Sequence, residues 1–217
     1  MTRPEPAPAR PGPGPAGLAD AIAAERRELA GLLGSLPPGA WDEPTLCDGW
    51  RVREVVAHMT MPFRYSAARF ALELARSRGN VNRMADRCAR RDAAASAAEL
   101  TAALRDNAKH PWKPPGGGLV GALTHDVIHG LDITVALGID RKVPAGRLAI
   151  VLDSVTAARS LKFFGALLSG IQLQADDTAW SFGSGTPVTG AAQDLALVVC
   201  GRRLPAGRLD GALPRAG

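Results

Sequence analysis

A mainly α fold, a helical bundle carrying a small C-terminal α/β domain, follows from three observations on this 217-residue chain. Residues 17–168 hold long segments of helical period, punctuated by Pro/Gly loops. After Ser169 the texture changes to short alternating segments between glycines. Hydrophobic residues make up 46% of the chain, enough for a buried core, yet no run approaches the roughly 18–20 apolar residues of a membrane span.

The elements follow in order. MTRPEPAPARPGPGPAG has no apolar stretch of the kind an export signal needs, so residues 1–16 are expected to be a disordered Pro-rich tail. Residues 17–36 form a helix with Leu18, Ile22, Leu29, Leu32 and Leu33 as its apolar stripe, stopped by Pro37-Pro38-Gly39. A second helix is expected from Val52 to Ser77. Arg51 stands at its N-cap, where Ser, Thr, Asp or Asn is usual, with Asp48 near enough to share the role. Pro62 removes the donor to the His58 carbonyl, which predicts a kink or a break there. Residues 80–92 read as charged and irregular. Further helices are expected over 93–109, 118–137 and 145–168. Strands are expected at Ile171–Ala175, Thr178–Phe182 and Pro187–Thr189, then a short helix from Ala191 to Cys200. The chain therefore divides into a tail (1–16), a helical bundle (17–168) and a small α/β domain (169–217).

The formal charge is +5, but the arginines read as spread along the chain with no aromatic-interleaved patch. That argues against nucleic acid as a partner and for a small anionic ligand. The cysteines, Cys47, Cys88 and Cys200, are odd in number and widely spaced. This fits a reducing cytoplasm and gives no cysteine zinc motif.

The chemistry lies in the histidines, of which there are four. At about 100° per residue, Ala122, His125, His129, Asp132 and Ala136 share a stripe about 80° wide on the helix over 118–137. His58 lies at the edge of the apolar face of the second helix, about 60° from Val55. Three imidazoles brought together leave a coordination position open, as catalytic metal sites do. Taken singly, each histidine is more often an ordinary core or surface residue, and it is the three together that favour a metal site. Three neutral ligands keep the full +2 charge of an ion, which lowers the pKa of a coordinated water or thiol. Zinc is the default, and imidazole also suits nickel, iron and copper. Asp132, one turn after His129, is placed to accept the second ring N–H of a ligating histidine.

Three stretches carry a resemblance. LCDGWRVREVVAHMT (46–60) is similar to the N-terminal signature of the mycothiol-dependent maleylpyruvate isomerase family, within the DinB-like metalloenzyme superfamily, with Cys47, Trp50, Val52, Glu54 and His58 at its positions. LTHDVIHGLDITVALG (123–138) resembles the family's metal helix. Trp180, Gly190 and AAQDLALVVCGR (191–202) resemble its C-terminal domain. The resemblance implies a DinB-like four-helix bundle with a divalent metal on His58, His125 and His129. It also implies mycothiol as the thiol, and Arg202 as an anion-binding, substrate-binding residue. Two departures stand out. The isomerase proper has a glutamate where this chain has His125, which leaves its substrate unassigned here, and Arg51 replaces a Ser/Thr. Cys47 reads as a packing residue, since the family's catalytic thiol belongs to the cofactor.

The expected function is thus a cytoplasmic metal-dependent enzyme that uses mycothiol for thiol transfer or cis-trans isomerisation of a small electrophile. A metal-dependent hydrolase and a non-catalytic ligand-binding protein are the alternatives. The partners are a thiol and an electrophile, not nucleic acid or a membrane. Monomer and homodimer are both open.

Overall fold

A computed structural model describes residues 14–211. The expected tail lies outside the described residues up to position 13. Its last two positions are helical, because Pro15, with its fixed φ, starts α1 (Pro15–Gly34). The remaining helices are α2 (Val52–Arg64), α3 (Ala67–Arg76), α4 (Val81–Asp92), α5 (Ala97–Asp106), α6 (Gly118–Ala136), α7 (Ala145–Thr156), α8 (Ala158–Phe164) and α9 (Ala192–Val199). The strands are β1 (Ile171–Ala175), β2 (Ser181–Gly183), β3 (Thr186–Gly190) and β4 (Leu209–Asp210). The fold is mainly helical with a small C-terminal sheet.

Helices α1 and α2 each pack against both α5 and α6, so these four close a ring. Inside it Leu29, Leu33, Trp41, Val52, Val55, Val56, Met59, Leu100, Leu104 and Ile133 form one buried cluster. The other face of α6 joins a second cluster with α7, α9 and the sheet, through Leu123, Val127, Leu131, Val151, Leu173, Val188 and Leu195. The sheet order is β2-β1-β3-β4, with β1 and β3 parallel and both edge strands antiparallel. Helix α6 is thus shared by the two cores, and a side chain on it can reach either α2 or the segment after α9. Among the described residues, no helix is long and apolar enough to cross a membrane.

Several expectations need correction. The second helix does not break at Pro62 and does not reach Ser77. It runs through Pro62 to Arg64 and breaks at Tyr65, because Ser66 caps a new helix by accepting from the Arg69 N–H. Residues 80–92 are not irregular. Asn80 caps α4, whose Met84 and Cys88, four residues apart, pack on Met61. The helix expected over 145–168 is two, divided at the extended Ala157. At the start of α2 it is Glu54, not Asp48, that answers the missing cap. Its carboxylate accepts the Arg51 backbone N–H at 2.8 Å and the Arg51 guanidinium at 2.6 Å. Arg64, Arg76, Arg87, Arg90 and Arg91 sit on Glu73, Asp86 and Asp92, so this region is a charge network rather than a spread.

Glu73 is the buried residue of α3. It accepts from Arg91 at 2.8 Å and Arg87 at 2.5 Å. The Arg91 hydrogen bond holds its carboxyl below the ordinary value of 4.5. A depressed carboxyl contributes stability above its unfolded pKa and loses it as pH falls through the folded one. Amide protection in α3 is therefore expected to fall below about pH 4.5, before the α1–α6 core opens. Hydrogen exchange across that pH range checks this, and Glu73→Gln should lose α3 protection at neutral pH.

Candidate metal centre

The three histidines converge. Their candidate ligand atoms, one from each of His58, His125 and His129, all lie within 4.8 Å of one another. His125 and His129 stand one turn apart on α6. His58 reaches them from α2, its Nε2 3.1 Å from His125 Nε2. Two nitrogens each about 2.0–2.1 Å from a tetrahedral ion lie roughly 3.3 Å apart, so this spacing suits a shared ion. The side chains of His125 and His129 keep 16% and 13% exposure, which leaves the centre a route to solvent. Trp50 packs on His58 and Trp112 on His125, each with ring centroids 5.1 Å apart, and wall the cluster on two sides.

Carboxylates fix two of the rings. His125 Nδ1 lies 3.0 Å from Asp126 Oδ1, and His129 Nδ1 lies 3.0 Å from Asp132 Oδ2. An ionised carboxylate can only accept, so each Nδ1 carries the proton and each Nε2 offers a lone pair to the cluster. His58 Nδ1 is buried with no partner, so no competing bond ties that ring. Burial, and then the neighbouring His129 and His125, hold His58 well below the usual histidine range, and burial likewise lowers His129. Both rings are therefore neutral at pH 7. Orphaned ring nitrogen, preset lone pairs and spacing together fit a divalent ion.

Asp132 is the busiest group of the centre. Its side chain is fully buried and takes Arg202 on both oxygens, Nε to Oδ1 at 2.7 Å and Nη2 to Oδ2 at 3.0 Å. The Cys47 thiol also donates to Oδ2, at 3.0 Å. Burial alone would raise this carboxyl, but His129 and Arg202 overcome it and hold it well below the usual range. The Leu46 backbone N–H, bonded to the Asp132 carbonyl at 3.1 Å, fixes the loop that brings Cys47 there. Cys47, His129 and Asp132 form a second cluster of ligand type. It does not suit an ion, because Asp132 is neutralised by Arg202 and His129 Nδ1 is already bonded to it.

Cys47 is not set up as a nucleophile. Burial, and then the Asp132 charge, push its thiol far above the ordinary range, and a thiol is a poor nucleophile against its thiolate. Cys47→Ala should therefore leave metal content and turnover nearly unchanged, and iodoacetamide at pH 7 should not modify the native protein. Rapid alkylation with loss of turnover would contradict this.

All five residues picked from the sequence meet here. Arg202, read as an anion contact, has its guanidinium on Asp132 and its Nη1 on the Cys200 carbonyl. Ala122, on the same stripe as the histidines, is fully enclosed in the core. Sequence reading missed Asp126, which lies about 100° from His125, outside the stripe. It also missed Arg26, which holds Asp126 from α1 with Nε to Oδ2 at 2.7 Å. A charged residue on an otherwise apolar helix face was the available signal. The fourth histidine, His110, stands apart, accepting the Trp112 N–H at 3.2 Å.

Fold and centre together define a helical-bundle protein with a three-histidine candidate metal site, closed on one side by an arginine from its C-terminal α/β segment. Residues 22–111 match the family described as the mycothiol maleylpyruvate isomerase N-terminal domain. The chain is also 27% identical to the uncharacterized protein Rv0036c of Mycobacterium tuberculosis (strain ATCC 25618 / H37Rv) and to the uncharacterized protein MT0041 of strain CDC 1551 / Oshkosh. Each comparison covers 88% of this chain and 86% of the relative. The fold is similar to the crystal structure of the mycothiol-dependent maleylpyruvate isomerase, with a TM-score of 0.50 and 14% identity over 92% of this chain and 94% of that one.

Proposed function

We propose that the protein is an enzyme that binds a divalent ion, zinc by default, on His58, His125 and His129. It uses a low-molecular-weight thiol, mycothiol, for transfer to, or cis-trans isomerisation of, a small electrophile. The carrying observation is the convergence of three imidazoles whose candidate ligand atoms lie within 4.8 Å of one another. The family of residues 22–111 supports the thiol and an enzymatic role. We take residues 17–168 as the metal-binding unit and 169–217 as the unit that supplies Arg202, in a cytoplasmic protein.

A bound ion would supply Lewis acidity, lowering the pKa of a coordinated thiol so that its thiolate is available at neutral pH. The chain does the rest. Asp126 and Asp132 hold two rings in one orientation, so little reorganisation is needed when a ligand arrives. Trp50 and Trp112 exclude water from two sides of the cluster. Arg202 keeps Asp132 ionised and so keeps the His129 proton on Nδ1. Arg202 remains our candidate for an anionic substrate group, reached by exchanging one of its bonds to Asp132. In isomerisation a sulfur–carbon bond forms, the carbon–carbon bond rotates and the sulfur–carbon bond breaks, returning the thiol. In transfer that bond is kept, and the thiol proton ends on the substrate.

The test is turnover of an activated cis-alkenoic acid and of an epoxide, with and without mycothiol. Thiol-dependent conversion is expected. It consumes no thiol if the alkene isomerises, and one thiol per product if it is captured. Turnover at equal rates without thiol would overturn the proposal in favour of hydrolysis.

A further inference from the structure

Arg26 is fully buried and lies on α1, opposite the histidines' own helix. Its Nε donates to Asp126 Oδ2 at 2.7 Å, and the other oxygen of that carboxylate receives His125 Nδ1 at 3.0 Å. Its Nη1 donates to the His110 carbonyl at 2.9 Å and to that of Ala108 at 3.4 Å. That fixes the loop from which Trp112 packs edge-on against His125. The guanidinium also lies over the Phe63 ring, 4.8 Å from its centroid. One cation therefore holds both the carboxylate behind His125 and the wall beside it.

We propose that Arg26 and Asp126 are positioning residues for His125: they keep its proton on Nδ1, its Nε2 lone pair toward the cluster, and Trp112 against its edge. This rests on the metal reading above only for its purpose; the ring state it describes exists in the metal-free protein. The burial argues for such a role. A buried Arg–Asp pair contributes little net stability compared with apolar side chains of the same volume, so stability gives no strong reason for one here. The direction of the Asp126 bonds supplies another, because both donors need an acceptor and only a carboxylate satisfies both. An amide cannot. In Asp126→Asn the oxygen turns to Arg26 and the NH2 turns to His125 Nδ1, which drives the ring proton to Nε2, as in serine proteases whose triad aspartate is made asparagine. The lone pair then leaves the cluster.

The experiment uses the full chain with 15N-labelled histidine. Long-range 1H–15N spectra of the metal-free protein report the His125 tautomer, and competition with a chromophoric chelator reports Co2+ affinity. The wild type should show Nδ1–H at His125. Asp126→Asn should show Nε2–H and bind Co2+ about 10–100-fold more weakly, the usual effect of losing such a partner. Arg26→Met/Asp126→Leu removes the pair without stranding a charge and guards against a misfolded single variant. It too should lose the Nδ1–H state and the affinity. An Nε2–H tautomer in the wild type, or variants with unchanged tautomer and affinity, would overturn the proposal. A wild type that holds the Nδ1–H tautomer yet binds no Co2+ supports the positioning and sinks the metal reading instead.

Discussion

Replacing His125 by alanine is expected to abolish one-to-one binding of a divalent ion while the helices stay folded. His125 is one of three candidate ligands in the cluster, and its Nε2 lies against that of His58. Removing it leaves two nitrogens from two helices. Losing an outer partner costs about 10–100-fold in affinity, and losing a ligand should cost more. The fold should survive, because the ring lies at the open edge of the centre and no core cluster depends on it. Elemental analysis of wild type and His125→Ala, purified without chelators, checks this together with far-UV circular dichroism. Equal metal content in the two would remove the histidines from the account.

The largest effect on stability is expected at Arg26. Arg26→Ala strands a fully buried Asp126 carboxylate and leaves the carbonyls of Ala108 and His110 without their donor. Breaking a buried pair from one side costs about 3–5 kcal/mol, a large share of the roughly 5–15 kcal/mol by which a domain is stable. Arg26→Met/Asp126→Leu should cost far less, since neither charge is then left alone. Urea unfolding of both variants separates the cases. A single variant no less stable than the double would mean that water reaches the pair and that its burial is not as described.

How much of this was legible in the sequence depends on the range of the interaction. His125, His129 and Asp132 share a face because helical period alone decides it. His58 joined them through the apolar pattern of α2. Ser66 and Asn80 were readable cap signals, and reading them would have ended the second helix and started α4. The spacing of Met84 and Cys88 was readable too, but the charged residues around them masked it. Ala157 divides α7 from α8 with no glycine or proline to announce it, and β4 is two residues that exist only by pairing with β3. Arg26 and Arg202 were out of reach for a different reason. Their partners lie 100 and 70 residues away in the chain, and no local pattern encodes which carboxylate a buried arginine meets. Position 202 could be marked by resemblance, but its contact with Asp132 had to come from the fold.

On the proposed reading, the three histidines hold an ion whose task is to bind a thiol. Calorimetric titration of mycothiol into metal-loaded and metal-stripped protein decides whether it does. One-to-one binding by the loaded protein, lost on stripping and absent in His125→Ala, is the predicted result. Binding of equal strength with and without the ion, or none in either form, would contradict it.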